Sequence, residues 1–488
     1  MSATVIDKRS RRTVVATAAS GAAILCTALL LVEAGVFYAV VADVADVTQL
    51  LLLGASLVNV LAPLLIFVLS DVVATAASPV HQDIAMCRLL GAQKGTIRHQ
   101  WARHVTHDSL VATAVGAAAG YPSAYLCVIY LGRIDVVPAD FHLFASPLAG
   151  VATIATMAGI AYLAGYLAVM KISGRAPIKA LADSHAPLDP PSSTRIHVGY
   201  LLIAVGGASA VAPLFGNLEA GAGGAGNAAL MGVIGIALIG PTLVRRCGQF
   251  LARRMPSRAP YALRLAVYNC DGYAYRMAAG MTILAMALAV VMTYGLANTT
   301  IASAVQSRPH LVDGDAEMVR EAEVSAQVNL VVLLVIFGFL LIGAASRLGS
   351  VSASRRAELH RLHQLGATRG QLRTMLLTES LLTWGMSGLA GVAVAAPILF
   401  MLSVGLLGRA WPAGPVWIPV VTVVATGVVI LAMARLALPN KRRRPKMFGL
   451  TPSGGAPLQV SFSEPAIWRP GEHGRPRAKC LFTVPQVD

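Results

Sequence analysis

Ten long runs of apolar residues divide this chain, and they limit its fold more than any other feature. A bilayer core about 30 Å thick is spanned by about 20 helical residues, because each residue rises about 1.5 Å. The runs lack the two-residue alternation of barrel strands, so we predict helices. They cover residues 13–41, 49–77, 110–131, 144–170, 198–215, 228–244, 277–296, 328–345, 376–407 and 416–438.

The composition agrees with a membrane protein and excludes several other classes. Apolar residues make up 56% of the 488 residues and charged residues only 13%, whereas soluble domains average about 45–50% and about 25%. This excludes an ordinary soluble enzyme, and so apolar a chain does not stay disordered over most of its length. The six cysteines have no zinc or redox spacing, and no structural disulfide is expected. We predict an all-α, polytopic integral membrane protein with about ten transmembrane helices.

The formal net charge is +16, and the positions of the basic residues explain it. With the amino terminus inside, the inner segments hold 35 of the 39 Lys and Arg, and only Arg133, Arg308, Arg320 and Arg409 fall outside. This bias sets membrane orientation, so both termini are predicted to be cytoplasmic. The first run is interpreted as a retained helix, and the basic segments are expected to attract anionic lipids. No nucleic-acid partner is expected, because the basic residues are not interleaved with aromatic ones.

Two segments of the predicted inner face resemble each other at an offset of 275 positions, as from Leu90 to Leu365. They read QDIAMCRLLGAQKGTIRHQ at 82–100 and AELHRLHQLGATRGQLRTM at 357–375. Each lies between two apolar runs and on the same predicted face, so we predict two halves related by a parallel internal repeat. The predicted divisions are a basic cytoplasmic segment 1–12, a first half 13–183, a linker with two spans 184–260, a second half 261–438, and a basic, largely disordered cytoplasmic tail 439–488.

Each repeated segment predicts a short amphipathic helix, a Leu-Gly-Ala corner and a second helix that enters the membrane, and we call this unit an elbow. Gly91 and Gly366 can take the positive φ that ends a helix. A duplicated elbow suits a duplicated partner, whereas the alternative is a hairpin that only anchors its flanking spans. The candidate docking residues are Asp83, Ile84, Leu90, Gly91, Ala92, Lys94 and Arg98 in the first elbow, and Glu358, Leu359, Leu365, Gly366, Ala367, Arg369 and Arg373 in the second.

The second elbow carries a family resemblance. The sequence RRAELHRLHQLGATRGQLRTMLLTESLL at 355–382 resembles the signature of FtsX-like permeases, the membrane subunits of MacB-type ABC transporters. The first copy, HQDIAMCRLLGAQKGTIRHQ from His81, is similar to it, as are KISGRAPIKALAD at 171–183 and ALRLAVYN at 262–269. The ten-span order is similar to that of the peptide-resistance permeases of this family.

The resemblance implies a permease of the bacterial cell membrane that moves when cytoplasmic ATPase subunits close on its elbows. It implies two ATPase copies per chain, because both halves are fused. The chain lacks a G-x-x-x-x-G-K-[ST] phosphate loop, so ATP and magnesium are expected in the partner, no cofactor or metal is expected in this chain, and it is not expected to be an enzyme itself.

The chain departs from the family at the outer loops. Many members carry a folded outer domain there, but only residues 42–48 join the first two runs, and 298–327 join the seventh and eighth. A loop of about thirty residues can form a helix or a small cap but no independent core. An amphiphilic substrate that enters from the membrane, such as a peptide, lipid or drug, therefore becomes the favoured cargo, for export or extraction.

A few residues within the runs are candidates for a substrate path or for packing. Glu33 and Asn59 are candidates for the path, because polar groups in spans are expensive and often functional, whereas the alternatives are the outer interface for Glu33 and an interhelical hydrogen bond for Asn59. Glu379 is expected to be structural, paired with Arg373 or Arg369, whereas Asp71 and Arg435 are expected to meet headgroups or a docked partner. Close helix packing is expected along the glycine rows Gly116 and Gly120, and Gly385, Gly388 and Gly391.

Two alternative functions stay open at this point. An ion-driven secondary transporter would want paired acids and broken helices at mid-depth, and Glu33 is the only candidate. A non-transporting regulator that transmits ATPase motion would share the elbows, but it would want an outer platform.

Overall fold

The computed structural model describes residues 8–41, 48–77, 81–133, 143, 146–174, 193–215, 218–256, 259–307 and 316–437. In these ranges the chain forms helices, one 3-10 turn at Ala212–Phe215, and no strand. The helices are α1 (Lys8–Val41), α2 (Thr48–Ala76), α3 (His81–Leu89), α4 (Lys94–Arg133), α5 (Pro147–Gly174), α6 (Ser193–Ser209), α7 (Leu218–Arg254), α8 (Tyr261–Gly272), α9 (Ala274–Ser307), α10 (Ala316–Ser354), α11 (Arg356–Gln364), α12 (Arg369–Leu407) and α13 (Trp417–Ala437).

Nine of the described helices are long and apolar enough to cross a membrane: α1, α2, α4, α5, α7, α9, α10, α12 and α13. The chain is therefore an all-α, multi-pass membrane protein, as the apolar runs predicted. The predicted tail 439–488, the loop 42–47 and most of the 171–183 motif lie outside the described residues.

The fifth predicted span has almost the expected length but lies nearer the amino terminus than its apolar run 198–215. Helix α6 has 17 residues, which at about 1.5 Å each falls short of a bilayer core of about 30 Å. It ends soon after the Gly206-Gly207 pair and is followed by the 3-10 turn. It runs antiparallel to α7, since a Cβ on Gly199 would lie 2.5 Å from Ile239 while one on Gly206 would lie 3.0 Å from the Ala228 carbonyl.

The predicted outer loop 298–327 is largely helical. Helix α9 continues to Ser307 and α10 begins at Ala316. The hydroxyls of Thr299, Thr300 and Ser303 donate to carbonyls of the preceding turn, so these polar residues satisfy themselves within the helix. The two spans project further than their apolar runs, and residues 308–315 lie outside the described part.

The long helices form two bundles whose contacts follow the same order. In the first bundle α1 contacts α2, α4 and α5, and α5 also contacts α2 and α4. In the second bundle α9 contacts α10, α12 and α13, and α13 also contacts α10 and α12. The bundles meet where α10 packs on α1 and α2, and the α6–α7 hairpin packs through α7 on α9 and α12.

Glycines set some of these contacts and not others. A Cβ on Gly116 would lie 2.2 Å from the Ala19 carbonyl oxygen, and one on Gly120 would lie 2.6 Å from Cys26, so α1 and α4 touch because both positions lack a side chain. Of the other glycine row, Gly391 faces α9 closely. The prediction for Gly385 and Gly388 was wrong, because a Cβ at either would meet open space.

An ion pair between α2 and α10 joins the two bundles. Nε of Arg347 on α10 lies 3.0 Å from Oδ2 of Asp71 on α2, and Nη1 donates to the Asp71 carbonyl at 2.8 Å. The contact between Arg347 Nε and Asp71 Oδ2 is close enough for an ion pair, but its geometry is not that of a hydrogen bond. Asp71 was expected to meet headgroups or a docked partner, and the structure corrects this to a contact between the bundles. Arg435 is exposed in the last turn of α13.

Candidate functional site

The first elbow turns at residues 90–92. The Gly91 amide donates to the Arg88 carbonyl at 3.1 Å, and the Ala92 amide donates to the Cys87 carbonyl at 3.0 Å. These two bonds form a Schellman motif, in which the last carbonyls of a helix are capped by residues just beyond it. The motif needs a left-handed residue, and Gly91 supplies it with φ of +93°. The prediction that Gly91 ends a short helix at positive φ is confirmed.

The second elbow makes the same turn 275 positions later. The Gly366 amide donates to the His363 carbonyl at 3.1 Å and the Ala367 amide to the Leu362 carbonyl at 3.0 Å. Gly366 has φ of +98°, which confirms the matching prediction. Helix α12 then starts with a capping box, in which the Thr368 hydroxyl accepts from the Gln371 amide and the Gln371 side chain accepts from the Thr368 amide.

Each elbow exposes an apolar tip. Leu90 is 88% exposed and Leu365 is 84% exposed, and a Cβ on Gly91 or Gly366 would meet nothing within 4 Å. An exposed leucine costs little by itself. Two leucines at matching positions, each held out by a rigid turn, form two small apolar knobs that can enter pockets of another protein.

The other predicted docking residues divide between the tip and the base of the elbows. Ile84 and Leu359 are 3% and 2% exposed, so in this structure they hold the elbows in place instead of facing a partner. The residues that remain accessible beside the tips are Ala92, Lys94, Arg369 and Arg373, which are exposed, and Ala367 and Glu358, which are half-buried. Asp83 lies in α3, but its side chain lies outside the described part.

The first elbow is tied to α5 by Arg98. Its Nε donates to the hydroxyl of Ser173 at 2.7 Å, and its guanidinium carbon lies 5.9 Å from the ring centre of Tyr166. The carboxyl end of α5 carries a partial negative charge, because its last carbonyls lack helical partners. A cation at this position is therefore stabilised. Arg98 therefore fixes the direction of α4 relative to α5 and is half-buried.

The second elbow rests on a small apolar cluster. Leu359 from α11 packs with Leu372, Met375 and Leu376 from the first turns of α12, and Ala262 from α8 closes the cluster. The short helix α11, the corner and the start of α12 are thus packed as one piece, and α8 is attached to that piece.

A buried polar group lies under this cluster. The Arg355 guanidinium, at the α10–α11 junction, forms a bidentate ion pair with Glu379 of α12, with Nη2 at 3.0 Å from Oε1. The side-chain amide of Asn269 on α8 donates to the same carboxylate. Glu379 and Arg355 are only 2% and 7% exposed. The structure thus corrects the expected pairing of Glu379 with Arg373 or Arg369, which are both exposed.

The charge of Glu379 acts on its neighbours. Burial would lower the pKa of the Arg355 guanidinium, but the hydrogen bond and the charge of Glu379 outweigh burial and raise that pKa above its ordinary value. Burial, followed by the same negative charge, raises the pKa of the Cys270 thiol to about 12. Arg355 is therefore charged and Cys270 neutral at physiological pH.

Sequence reasoning missed Arg355 and Asn269 as functional positions. Both lie within segments that carried the family resemblance, one opening the 355–382 signature and the other closing the 262–269 motif. The joint presence of these motifs was the available signal, but their side-chain contact was not readable from spacing.

The structure does not bring together the two candidate residues of a substrate path. Glu33 is half-buried on α1, and Asn59 lies on an exposed face of α2. A cleft of about 470 Å³ lies elsewhere, between the α6–α7 hairpin, α9 and α12, and neither residue lines it. Within the described ranges no group of His, Cys, Asp or Glu side chains is arranged to hold a metal ion.

Comparison of the sequence with models of protein families gives no match, and no curated protein matches it significantly. The class of protein is therefore defined by the fold alone, as an all-α, multi-pass membrane protein with two capped helix corners. The resemblance to FtsX-like permeases stays a prediction that depends on the quoted motifs.

Proposed function

We propose that this chain is the permease subunit of an ABC transporter of the FtsX-like, MacB type. It would couple ATP hydrolysis by separate cytoplasmic ATPase subunits, two per chain, to the export or extraction of an amphiphilic substrate. It would sit in the bacterial cell membrane with both termini in the cytoplasm, as the distribution of Lys and Arg favours.

The observation that carries this proposal is the pair of elbows with matched backbone hydrogen bonds. Both turns use the same two Schellman bonds at the same offset, both use a glycine at positive φ, and both present an exposed leucine. The matching order of helix contacts in the two bundles supports a duplicated half. A duplicated rigid knob fits a partner that itself acts as two equivalent subunits.

Packing around the elbows supports a route for force. A partner that pushes on Leu365 would move α11 and the start of α12 together, since the cluster around Leu359 holds them. Through Asn269 and Glu379 the same push would reach α8, which directly precedes α9. The two bundles would then shift against each other at the contact of α10 with α1 and α2, where Asp71 and Arg347 pair.

The experiment compares substitutions at two neighbouring glycines of the second elbow. Gly366→Val forces a β-branched residue to positive φ, at a strain of about 1–2 kcal/mol or more. Gly370→Val is the matched control, because Gly370 lies in the first turn of α12 without positive φ, and a Cβ there meets only Thr368 at 3.9 Å. Gly366→Asn is the rescue, since Asn tolerates left-handed backbone.

The readout is the tagged full-length chain purified from its native membranes, with copurified ATPase identified by mass spectrometry and ATP hydrolysis measured on the complex. We expect wild type, G370V and G366N to retain an ABC ATPase and G366V to lose most of it while still inserting in the membrane. Copurification without any ATPase in the wild type, or equal retention in G366V, would refute docking at this elbow.

A further inference from the structure

The cavity between the α6–α7 hairpin, α9 and α12 is lined by small residues and by larger aliphatic ones. The small ones include Gly206, Gly207 and Gly232, and the larger ones include Ile239, Leu243 and Met401. All of its lining except Ala210, which directly follows α6, lies in α6, α7, α9 and α12, and α7, α9 and α12 are membrane-spanning candidates. Its volume is about 470 Å³, within the range of about 300–1,000 Å³ of small-molecule sites.

The cavity is long. Its lining extends on α7 from Ala228 to Cys247 and on α12 from Met386 to Met401, or about 28 Å and about 22 Å at the helical rise. A single leaflet contributes about half of a bilayer core about 30 Å thick, so both lined stretches are longer than one leaflet. The cleft thus has the length for an extended hydrocarbon chain, and it opens sideways, because Leu389 on its rim is 72% exposed.

The charged end of α7 continues the same helix face. Leu243 and Cys247 line the cleft, and residues three, seven and eleven positions beyond Leu243 share that face by helical register. They are Arg246, Phe250 and Arg254. All three are exposed, and the Arg254 guanidinium carbon lies 4.4 Å from the centre of the Phe250 ring. An apolar channel therefore ends beside two cations at headgroup depth.

We propose that this cleft is a binding site for one anionic phospholipid, with an acyl chain in the channel and the phosphate at Arg246 and Arg254. The apolar lining excludes a polar ligand, because a buried polar group without a partner is costly. The two cations select a negative headgroup over a zwitterionic one, since each basic residue near an anionic lipid contributes roughly a fivefold preference. This site does not depend on the proposed transport function.

The test uses native mass spectrometry of the full-length chain in a neutral detergent, titrated with phosphatidylglycerol or with phosphatidylcholine of identical acyl chains. Gly207→Phe fills the channel where a Cβ meets open space, and Ala393→Phe fills it from α12, so one variant remains if the other misfolds. Gly159→Phe is the matched control, because Gly159 on α5 also has open space. Arg246→Gln with Arg254→Gln tests the headgroup, and Arg103→Gln on α4 is its control.

We expect the wild type to prefer phosphatidylglycerol, and R246Q/R254Q to lower that affinity about 25-fold, to the level of phosphatidylcholine. G207F and A393F should lower binding of both lipids at least tenfold, while G159F and R103Q match the wild type. Equal binding of both lipids by the wild type, or undiminished binding in the two phenylalanine variants, would overturn the proposal. So would a dimer mass for the wild type that disappears in G207F, since a second copy would then cover the cleft.

Discussion

Breaking the buried ion pair between Arg355 and Glu379 should speed the alkylation of Cys270, although the change in charge alone would slow it. Arg355→Met removes the cation and leaves Glu379, which is 2% exposed, as a buried charge held only by Asn269 among its described contacts. Breaking a buried pair from one side typically costs roughly 3–5 kcal/mol. Because Arg355 and Asn269 connect α12 to the α10–α11 junction and to α8, we expect this loss to loosen the elbow locally before the bundles.

Cys270 is a built-in probe of that loosening. In the wild type its thiol is 1% exposed and has a pKa raised to about 12, so alkylation at pH 8 is slow for two reasons. Removing the Arg355 cation strengthens the negative field around the thiol and, with the structure unchanged, would slow alkylation further. Local opening acts in the opposite direction and would raise the rate about 100- to 4,000-fold, because a loss of roughly 3–5 kcal/mol is converted at about 1.4 kcal/mol per tenfold change.

The assay is the rate of Cys270 modification by a maleimide in the purified full-length chain, followed by peptide mass spectrometry. The double variant R355M/E379L replaces the pair by apolar residues and should return most of the protection, with a remainder from the unpaired Asn269 amide. The argument is refuted if R355M alkylates Cys270 no faster than the wild type, or if the double variant reacts as fast as R355M.

Two further predictions concern the contacts between helices. Asp71→Arg should weaken the contact of α2 with α10 by about 2 kcal/mol or more, because two guanidinium groups then face each other. Adding Arg347→Asp should restore thermal stability in detergent. An unchanged melting temperature in the single variant would contradict this prediction. Gly116→Leu should prevent α1 from packing on α4, since its Cβ would lie 2.2 Å from the Ala19 carbonyl, and should reduce the yield of monodisperse protein. Gly132→Leu is its control, because Gly132 has open space, and equal yields would contradict the expected clash.

The elbows show how much of the site local sequence specifies. A Schellman motif depends on a few consecutive residues and on one glycine that accepts positive φ, so Gly91 and Gly366 could be placed from the sequence. The exposure of Leu90 and Leu365 follows from the same turn. The partners of Glu379 could not be placed, because the choice between Arg355, Arg369 and Arg373 depends on how α10 and α12 are rotated about their axes.

The apolar runs similarly predicted spans but not their ends or their neighbours. Hydropathy measures transfer into lipid and takes no account of hydroxyl groups that donate hydrogen bonds to carbonyls of their own helix. It therefore missed the extension of α9 to Ser307. It also placed the fifth span at 198–215, whereas α6 begins at Ser193 and ends at Ser209, before the 3-10 turn.

The sequence by itself determined the class of protein, its helical state and the two elbows, because each follows from the solvent of a segment or from the backbone freedom of single residues. Tertiary structure alone decided which charges pair across the bundles, which glycines face a neighbouring helix and where the lipid-sized cleft lies. Those features join residues far apart in the chain, and their geometry is set by the rotation and register with which whole helices pack.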